Sequence, residues 1–320
     1  MSSKAWYCSI CESLLLNGIG VYCDCCGVCA DTDCIKKANK RLQCKVITSK
    51  SEVFCSMEPG LVDFQCCWCQ RTVHTECLKG LGSMEPGLVD FQCCWCQRTV
   101  HTECLKGLEK ECDFGPYKNI IVPPWCVQVA RMKSSIHRHL LLRGVQDPGW
   151  ENWCPLVVVA NRKSGNNDGG VVLSEFRKYL NPVQVLDLAE RTPAAALQWS
   201  VLVAPKPIKL LIAGGDGTVS WILSAVHKMD LDPQPAVSLL PLGTGNDLSR
   251  VLGWGKQSHS EIDADKLIEE ITNAKTTFLD RWKVDITPYR HLELTNLGNN
   301  VLLLLRNLLI FNAVSHIGIT

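Results

Sequence analysis

No cysteine follows Cys154, although the 320 residues contain 20 of them. A boundary of that kind separates two chemistries. The cysteine-rich part lacks the marks of secretion, since Met1 to Gly20 has neither a basic start nor a small-residue cleavage site. That argues against a secreted disulfide framework. CxxC pairs with His74 and His101 a few residues downstream point instead to zinc in a reducing cytosol. Long apolar runs are absent too: a membrane helix needs about 18 residues, and the nearest stretch, Val301 to Val314, is broken by Arg306 and Asn307. The sequence as given therefore predicts no membrane span. Nor does one sign of charge prevail, because 33 Lys plus Arg face 32 Asp plus Glu for a net +1. No bulk electrostatic pull toward nucleic acid follows, and no nucleic-acid partner is expected. Neither GxxxxGK[ST] nor GxGxxG occurs, which withdraws support from ordinary P-loop and dinucleotide-binding readings.

The chain is long enough for two or three domains. Residues 56–81 recur without a change as residues 83–108. Identity at every position, including those where packing makes no demand, marks a recent exon duplication or a gene-model error rather than a solenoid, whose repeats vary. Ile120 to Gly149, with Pro123, Pro124, a basic stretch (Arg131, Lys133, Arg138, Arg143) and Asp147-Pro148-Gly149, reads as a linker containing one helix.

Past Trp153 strand and helix patterns alternate. The apolar runs 156–160, 184–189, 208–213 and 236–241 are strand-like; Val171 to Leu180 has helical spacing and Pro193 to Trp199 forms a weak helix. In Thr218 to Lys228 the residues Val219, Ile222, Leu223 and Val226 fall at i, i+3, i+4 and i+7, one face of a helix. The expected fold is α/β, a doubly wound parallel sheet behind small cysteine-rich modules.

Three loops leave the carboxyl ends of the expected strands, the edge where open α/β sheets bind ligands: Asn161 to Gly165, Gly214 to Thr218 and Gly243 to Asp247. In the second, the glycines let backbone amides approach a phosphate, and the following helix aims its positive end there. Asp216 stands against that phosphate. A carboxylate is repelled there unless it binds magnesium, takes a proton from an attacking hydroxyl, or receives the loop's own amides.

The segments LLIAGGDGTVSWIL (210–223) and LLPLGTGNDLSRVLGWG (239–255), Leu279 to Lys283, and Phe176 to Val185 resemble the catalytic domain of eukaryotic diacylglycerol kinases. With the CDFG and KNIIVPP text at 112–124, the likeness looks greatest for the epsilon type. It implies ATP- and Mg2+-dependent phosphorylation of diacylglycerol to phosphatidic acid, in lipid signalling downstream of receptors. Carried over to this chain, Asp216 is the catalytic candidate. The nucleotide candidates are Asn161, Ser164, Gly165, Gly214, Gly215, Gly217, Thr218, Gly243, Thr244, Gly245, Asn246 and Asp247. Implied partners are diacylglycerol and a membrane surface, with a cytoplasmic, membrane-peripheral location. Sphingosine and NAD kinases share the GGDG loop and form a distant alternative.

The same resemblance implies C1 zinc modules. Cys8, Cys11, Cys23, Cys26, Cys34 and Cys44 fit the first, with Asp31 where a histidine belongs. In the repeat, Cys66, Cys69, His74 and Cys77, then Cys93, Cys96, His101 and Cys104, with Cys112 closing the second copy, each supply half a module. Cys66 and Cys69 could complete the ligand set of His101 and Cys104. Zinc as a folding staple without lipid recognition stays open beside this.

The expected division is 1–48 first zinc module, 56–119 duplicated module, 120–153 linker, 154–287 catalytic domain and 288–320 divergent tail. The family's second, β-rich domain and the epsilon type's amino-terminal membrane segment are not recognisable in the text. The alternative to a working kinase is therefore a catalytically incomplete fragment that binds lipid, zinc or nucleotide.

Overall fold

The computed structural model describes residues 6–8, 10–11, 14–15, 20–23, 29–41, 45, 47–49, 57–60, 90–100, 111–130, 141–162, 164, 168–243, 245–256, 262–280 and 316–319. Two compact units emerge, Met1–Pro155 with Leu173–Val185, and Leu156–Val172 with Leu186–Thr320.

In the first unit the described strands form short antiparallel pairs. Strand β1 (Trp6–Tyr7) pairs with β2 (Leu14–Leu15), and β3 (Gly20–Tyr22) with β4 (Cys29–Asp31). A 3-10 turn, Thr32–Cys34, leads into α1 (Ile35–Arg41), and the Asp33 N–H donates to Asp31 Oδ1 at 3.0 Å. Among the described residues, Cys8, Ala30 and Ala38 form a buried cluster here, with Ile10, Leu15 and Cys34 packed against it. The two identical repeats contribute different strands: β5 (Met57–Gly60) from the first copy pairs with β6 (Asp90–Cys93) of the second, which pairs with β7 (Thr99–Val100).

Residues 111–130 and 141–155 carry the densest packing of this unit. Phe114, Ile120, Ile121, Val122, Cys126, Val127 and Trp153 are all buried. Strand β8 (Val127–Ala130) pairs with β9 (Leu141–Val145), so much of the stretch expected to be linker is packed strand and turn. Two buried amides lace it to Leu173–Val185. The Val122 N–H donates to Gln184 Oε1 at 2.8 Å, Gln184 Nε2 donates to the Ile120 carbonyl at 2.8 Å, and Asn181 Nδ2 donates to the Ile47 and Val122 carbonyls, each at 3.0 Å.

The second unit is built on a six-stranded sheet. Its strands are β10 (Leu156–Ala160), β11 (Val185–Asp187), β12 (Lys209–Gly214), β13 (Ala236–Pro241), β14 (Thr277–Asp280) and β15 (His316–Ile319), in the order β11-β10-β12-β13-β15-β14. Strands β10, β12 and β13 run parallel, with Ala160 opposite Ala213 and Gly214 opposite Pro241. Every residue of β10 is buried, as a central parallel strand covered on both faces requires. The connecting helices are α2 (Asp168–Tyr179), α3 (Pro193–Val203), α4 (Asp216–Met229), α5 (Asp247–Val251) and α6 (Ala264–Asn273). Val219, Ile222, Leu223 and Val226 of α4 are buried, each contributing about 1.5–3 kcal/mol. Helix α4 packs on β12 and α3. Strand β15, from the tail expected to diverge, inserts parallel to β13 and antiparallel to β14.

Candidate functional site

Parallel register brings the three glycine-bearing loops to one edge. Asn161 and Gly214 follow directly on or beside the paired residues Ala160 and Ala213, and the third loop begins after Pro241, opposite Gly214. The second and third loops touch. The Asp216 N–H donates to the Gly245 carbonyl at 3.0 Å, and the Leu242 N–H donates to the Gly214 carbonyl at 3.3 Å. A Cβ on Gly243 would lie 3.1 Å from the Gly215 Cα, and one on Gly215 would lie 3.2 Å from the Gly245 oxygen. Glycine at these positions allows two backbones to approach where no side chain fits. Gly217, by contrast, has nothing among the described residues within 4 Å of its notional Cβ.

Asp216 lies in the first turn of α4, two residues earlier than the helix spacing of Val219 to Val226 suggests, with Gly215 as N-cap. The site suits a carboxylate, because the unpaired amides of the turn carry partial positive charge. Its Oδ2 accepts the Asp247 N–H at 3.1 Å. One oxygen of the carboxylate is thus occupied by a backbone amide, supplied by the third loop rather than by its own.

Asn246 is 3% exposed. Its Nδ2 donates to the Gly243 carbonyl and, at 2.7 Å, to the Lys256 carbonyl. Two carbonyls on one side fix which end of the amide is nitrogen, since a flip would oppose oxygen to oxygen. Among the described residues no donor then reaches Oδ1, which is buried. An orphaned acceptor fits a hydroxyl or amino group of a ligand and does not fit a phosphate oxygen. A ribose hydroxyl therefore suits this oxygen and a phosphate does not.

The first loop is stitched to the turn after β11. The Ser164 N–H donates to the Asn161 carbonyl at 2.8 Å and the Gly169 N–H to the Ser164 carbonyl at 3.3 Å. A Cβ on Gly169 would stand 2.0 Å from the Asn161 oxygen. Asp187, 2% exposed, accepts from Arg162 Nε at 2.8 Å and from the Arg162 N–H at 3.2 Å. Neither Asp187 nor Arg162 was singled out from sequence, and no local signal marks a contact across 25 residues. Gly165 and Thr244 lie outside the described residues. Thr218 packs over Gly214, where a Cβ would meet its own at 2.7 Å.

Two thiol clusters stand apart from these loops in sequence. The sulfurs of Cys8, Cys11 and Cys34 lie within 4.8 Å of one another, as do those of Cys93, Cys96 and Cys112. Cys93 Sγ and Cys112 Sγ are 3.8 Å apart, far beyond a disulfide. That spacing equals the sulfur edge of a tetrahedron with Zn–S bonds of about 2.3 Å, roughly 3.8 Å, so the donor set fits zinc. Burial pushes the Cys8 thiol up, but the N–H groups of Asp31, Cys11 and Ile10 outweigh it and hold the thiol at about 7, within reach of the thiolate that metals bind. Asp31 is spent differently: its N–H donates to Cys8 Sγ at 3.3 Å while its carboxylate caps the following turn. Cys23 is not in the first cluster. Cys26, Cys44, Cys66, Cys69, His74, Cys77, His101 and Cys104 fall outside the described residues, so the pairing of Cys66 and Cys69 with His101 does too.

Residues 155–281 match the family model described as the diacylglycerol kinase catalytic domain. The chain is 33% identical over 327 residues to Diacylglycerol kinase 1 of Drosophila melanogaster, covering 90% of this chain and 24% of that protein. It is 32% identical over 237 residues to Diacylglycerol kinase kappa of Homo sapiens, covering 72% of this chain and 16% of that one. Diacylglycerol kinase eta of Drosophila melanogaster is 31% identical over 236 residues, 72% of this chain and 10% of the relative. The chain spans a quarter or less of the length of the relatives it matches.

Proposed function

Because the chain is a member of the diacylglycerol kinase family through its catalytic domain at residues 155–281, we propose that it transfers the terminal phosphoryl group of ATP to the free hydroxyl of diacylglycerol, giving phosphatidic acid. The observation that carries this reading is the meeting of the second and third loops, Asp216 N–H on the Gly245 carbonyl and Asp247 N–H on Asp216 Oδ2, at the carboxyl ends of the paired strands β12 and β13.

Phosphoryl transfer demands positioning and charge neutralisation more than covalent chemistry. The amides of Gly215 and Gly217, at the amino end of a 14-residue helix, hold phosphate oxygens. Asn246 Oδ1 takes a ribose hydroxyl. Asp216 keeps the two loops in register with one oxygen, and its other oxygen faces the lipid hydroxyl or the metal. Mg2+, when bound, offsets charge on the phosphates. Asn161 and Ser164 complete the nucleotide edge. The cysteine clusters hold zinc as folding staples, with His101 or Cys104 as candidates for the missing fourth ligand of Cys93, Cys96 and Cys112.

The test is the formation of radiolabelled phosphatidic acid from labelled ATP and diacylglycerol in mixed micelles. Asp216→Ala is expected to lower the rate at least ~100-fold, the scale on which loss of a group acting in the transition state is felt. Equal rates for the two proteins sink the assignment of Asp216. Binding of Mg·ATP with no product from the unmutated chain identifies a binding module instead.

A further inference from the structure

We propose that Asp187 is a positioning residue for the nucleotide, setting the first loop through Arg162; the inference rests on the kinase reading above. Asp187 is the one buried carboxylate among the described residues. Burying a charge is costly unless donors surround it, and an apolar side chain would serve packing better. Its donors all come from the first loop or its own turn. Oδ1 accepts the Arg162 N–H at 3.2 Å and the Ala189 N–H at 2.9 Å, and Oδ2 accepts Arg162 Nε at 2.8 Å.

The Arg162 N–H belongs to the same peptide as the Asn161 carbonyl, which in turn accepts the Ser164 N–H at 2.8 Å and is packed by Gly169. One carboxylate therefore fixes the peptide plane from which the loop turns away from the sheet. The guanidinium lies across that turn, with a terminal nitrogen 3.7 Å from Glu190 Oε1. The Leu188 N–H donates to the Ala160 carbonyl at 2.9 Å, which ties the turn to the strand end where the loop starts. A peptide fixed at both faces presents Asn161 and Ser164 in a single orientation before nucleotide arrives, and preorganisation of that kind appears as affinity.

Asp187→Asn keeps an oxygen for the two N–H groups but puts an amide nitrogen opposite Arg162 Nε. Arg162→Lys leaves Asp187 intact and removes the forked donor. In the full chain, equilibrium dialysis with labelled Mg·ATP should show each variant binding about tenfold more weakly, the consequence of one lost charge-assisted hydrogen bond. The double variant should be no weaker than either single one, because the pair acts as a unit. KM for ATP should rise by the same factor while kcat changes less than about threefold. Wild-type affinity in both single variants overturns the proposal, as does full additivity in the double variant. If Asp187→Asn does not fold, Arg162→Lys decides, since its side chain is half exposed. Failure of the wild-type chain to bind Mg·ATP overturns the kinase reading and this inference with it, whereas binding by wild type with unshifted variants overturns the inference alone.

Discussion

At the scale of single residues the site is built from close approaches. A methyl group on Gly169 would sit 2.0 Å from the Asn161 oxygen, so Gly169→Ala forces the first loop and the start of α2 apart. A cost of about 2–3 kcal/mol in urea unfolding is expected. Gly217 offers the contrast. Its Cβ position is empty, so Gly217→Ala should leave stability within about 0.5 kcal/mol while weakening Mg·ATP binding, because the methyl group fills the space a phosphate needs. Unchanged affinity in that variant would mean no phosphate lies against Gly217. Asn246→Ala removes the hydrogen bonds to the Gly243 and Lys256 carbonyls, each worth about 0.5–1.5 kcal/mol in urea unfolding. Some of this was legible: LGTGND and GGDG announced themselves as close-approach loops. The partners of Asn246 and Asp187 were not, because a buried side chain is chosen by neighbours distant in sequence.

Elements repeat that division between local and distant causes. The strands β10, β12 and β13 and helix α4 follow from apolar runs and from i, i+3, i+4 spacing, and the sequence locates them closely. Helix α6 carries Ala264, Ile268 and Ile271 on one buried face, at the i, i+4 and i+7 spacing of an amphipathic helix. The end of α2 is different. Lys45, 5% exposed, donates to the carbonyls of Arg177 and Leu180, each at 3.2 Å, and to that of Lys178, while its ammonium lies 4.9 Å from the Trp95 ring centre. Nothing around position 45 predicts a helix cap more than 130 residues away. Lys45→Met keeps the stem and removes the charge, which strips this donor from the carbonyls of Arg177 and Leu180 and leaves that of Lys178 with Gln97 Nε2 alone, at 3.0 Å. A loss of about 2–4 kcal/mol is expected by thermal or urea unfolding, and a loss under about 0.5 kcal/mol would deny the cap any role. The stretch at 120–130 misled for a related reason. Pro123 and Pro124 suggested a linker, but Ile120, Ile121 and Val122 are buried under a lattice of side-chain amides that composition does not reveal.

At the scale of the whole molecule the two units rest on different forces. The sheet unit buries long aliphatic strands, whereas among the described residues the first module shows a buried cluster of Cys8, Ala30 and Ala38, with Cys8 also one of its three grouped thiols. Zinc binding is folding free energy in modules of this size. A chelator such as phenanthroline should therefore remove zinc and lower the melting transition of the cysteine-rich unit, with re-added zinc restoring it; a melting curve indifferent to chelator would exclude a structural metal. The claim on which everything else depends is that three loops at one sheet edge hold one nucleotide. Hydrogen exchange of the full chain with and without Mg·ATP, read by mass spectrometry, reports on it directly. The account predicts that peptides covering 161–170, 214–219 and 243–252 gain protection together and at the same nucleotide concentration. Protection confined to one of them, or spread elsewhere while all three exchange as before, would contradict it.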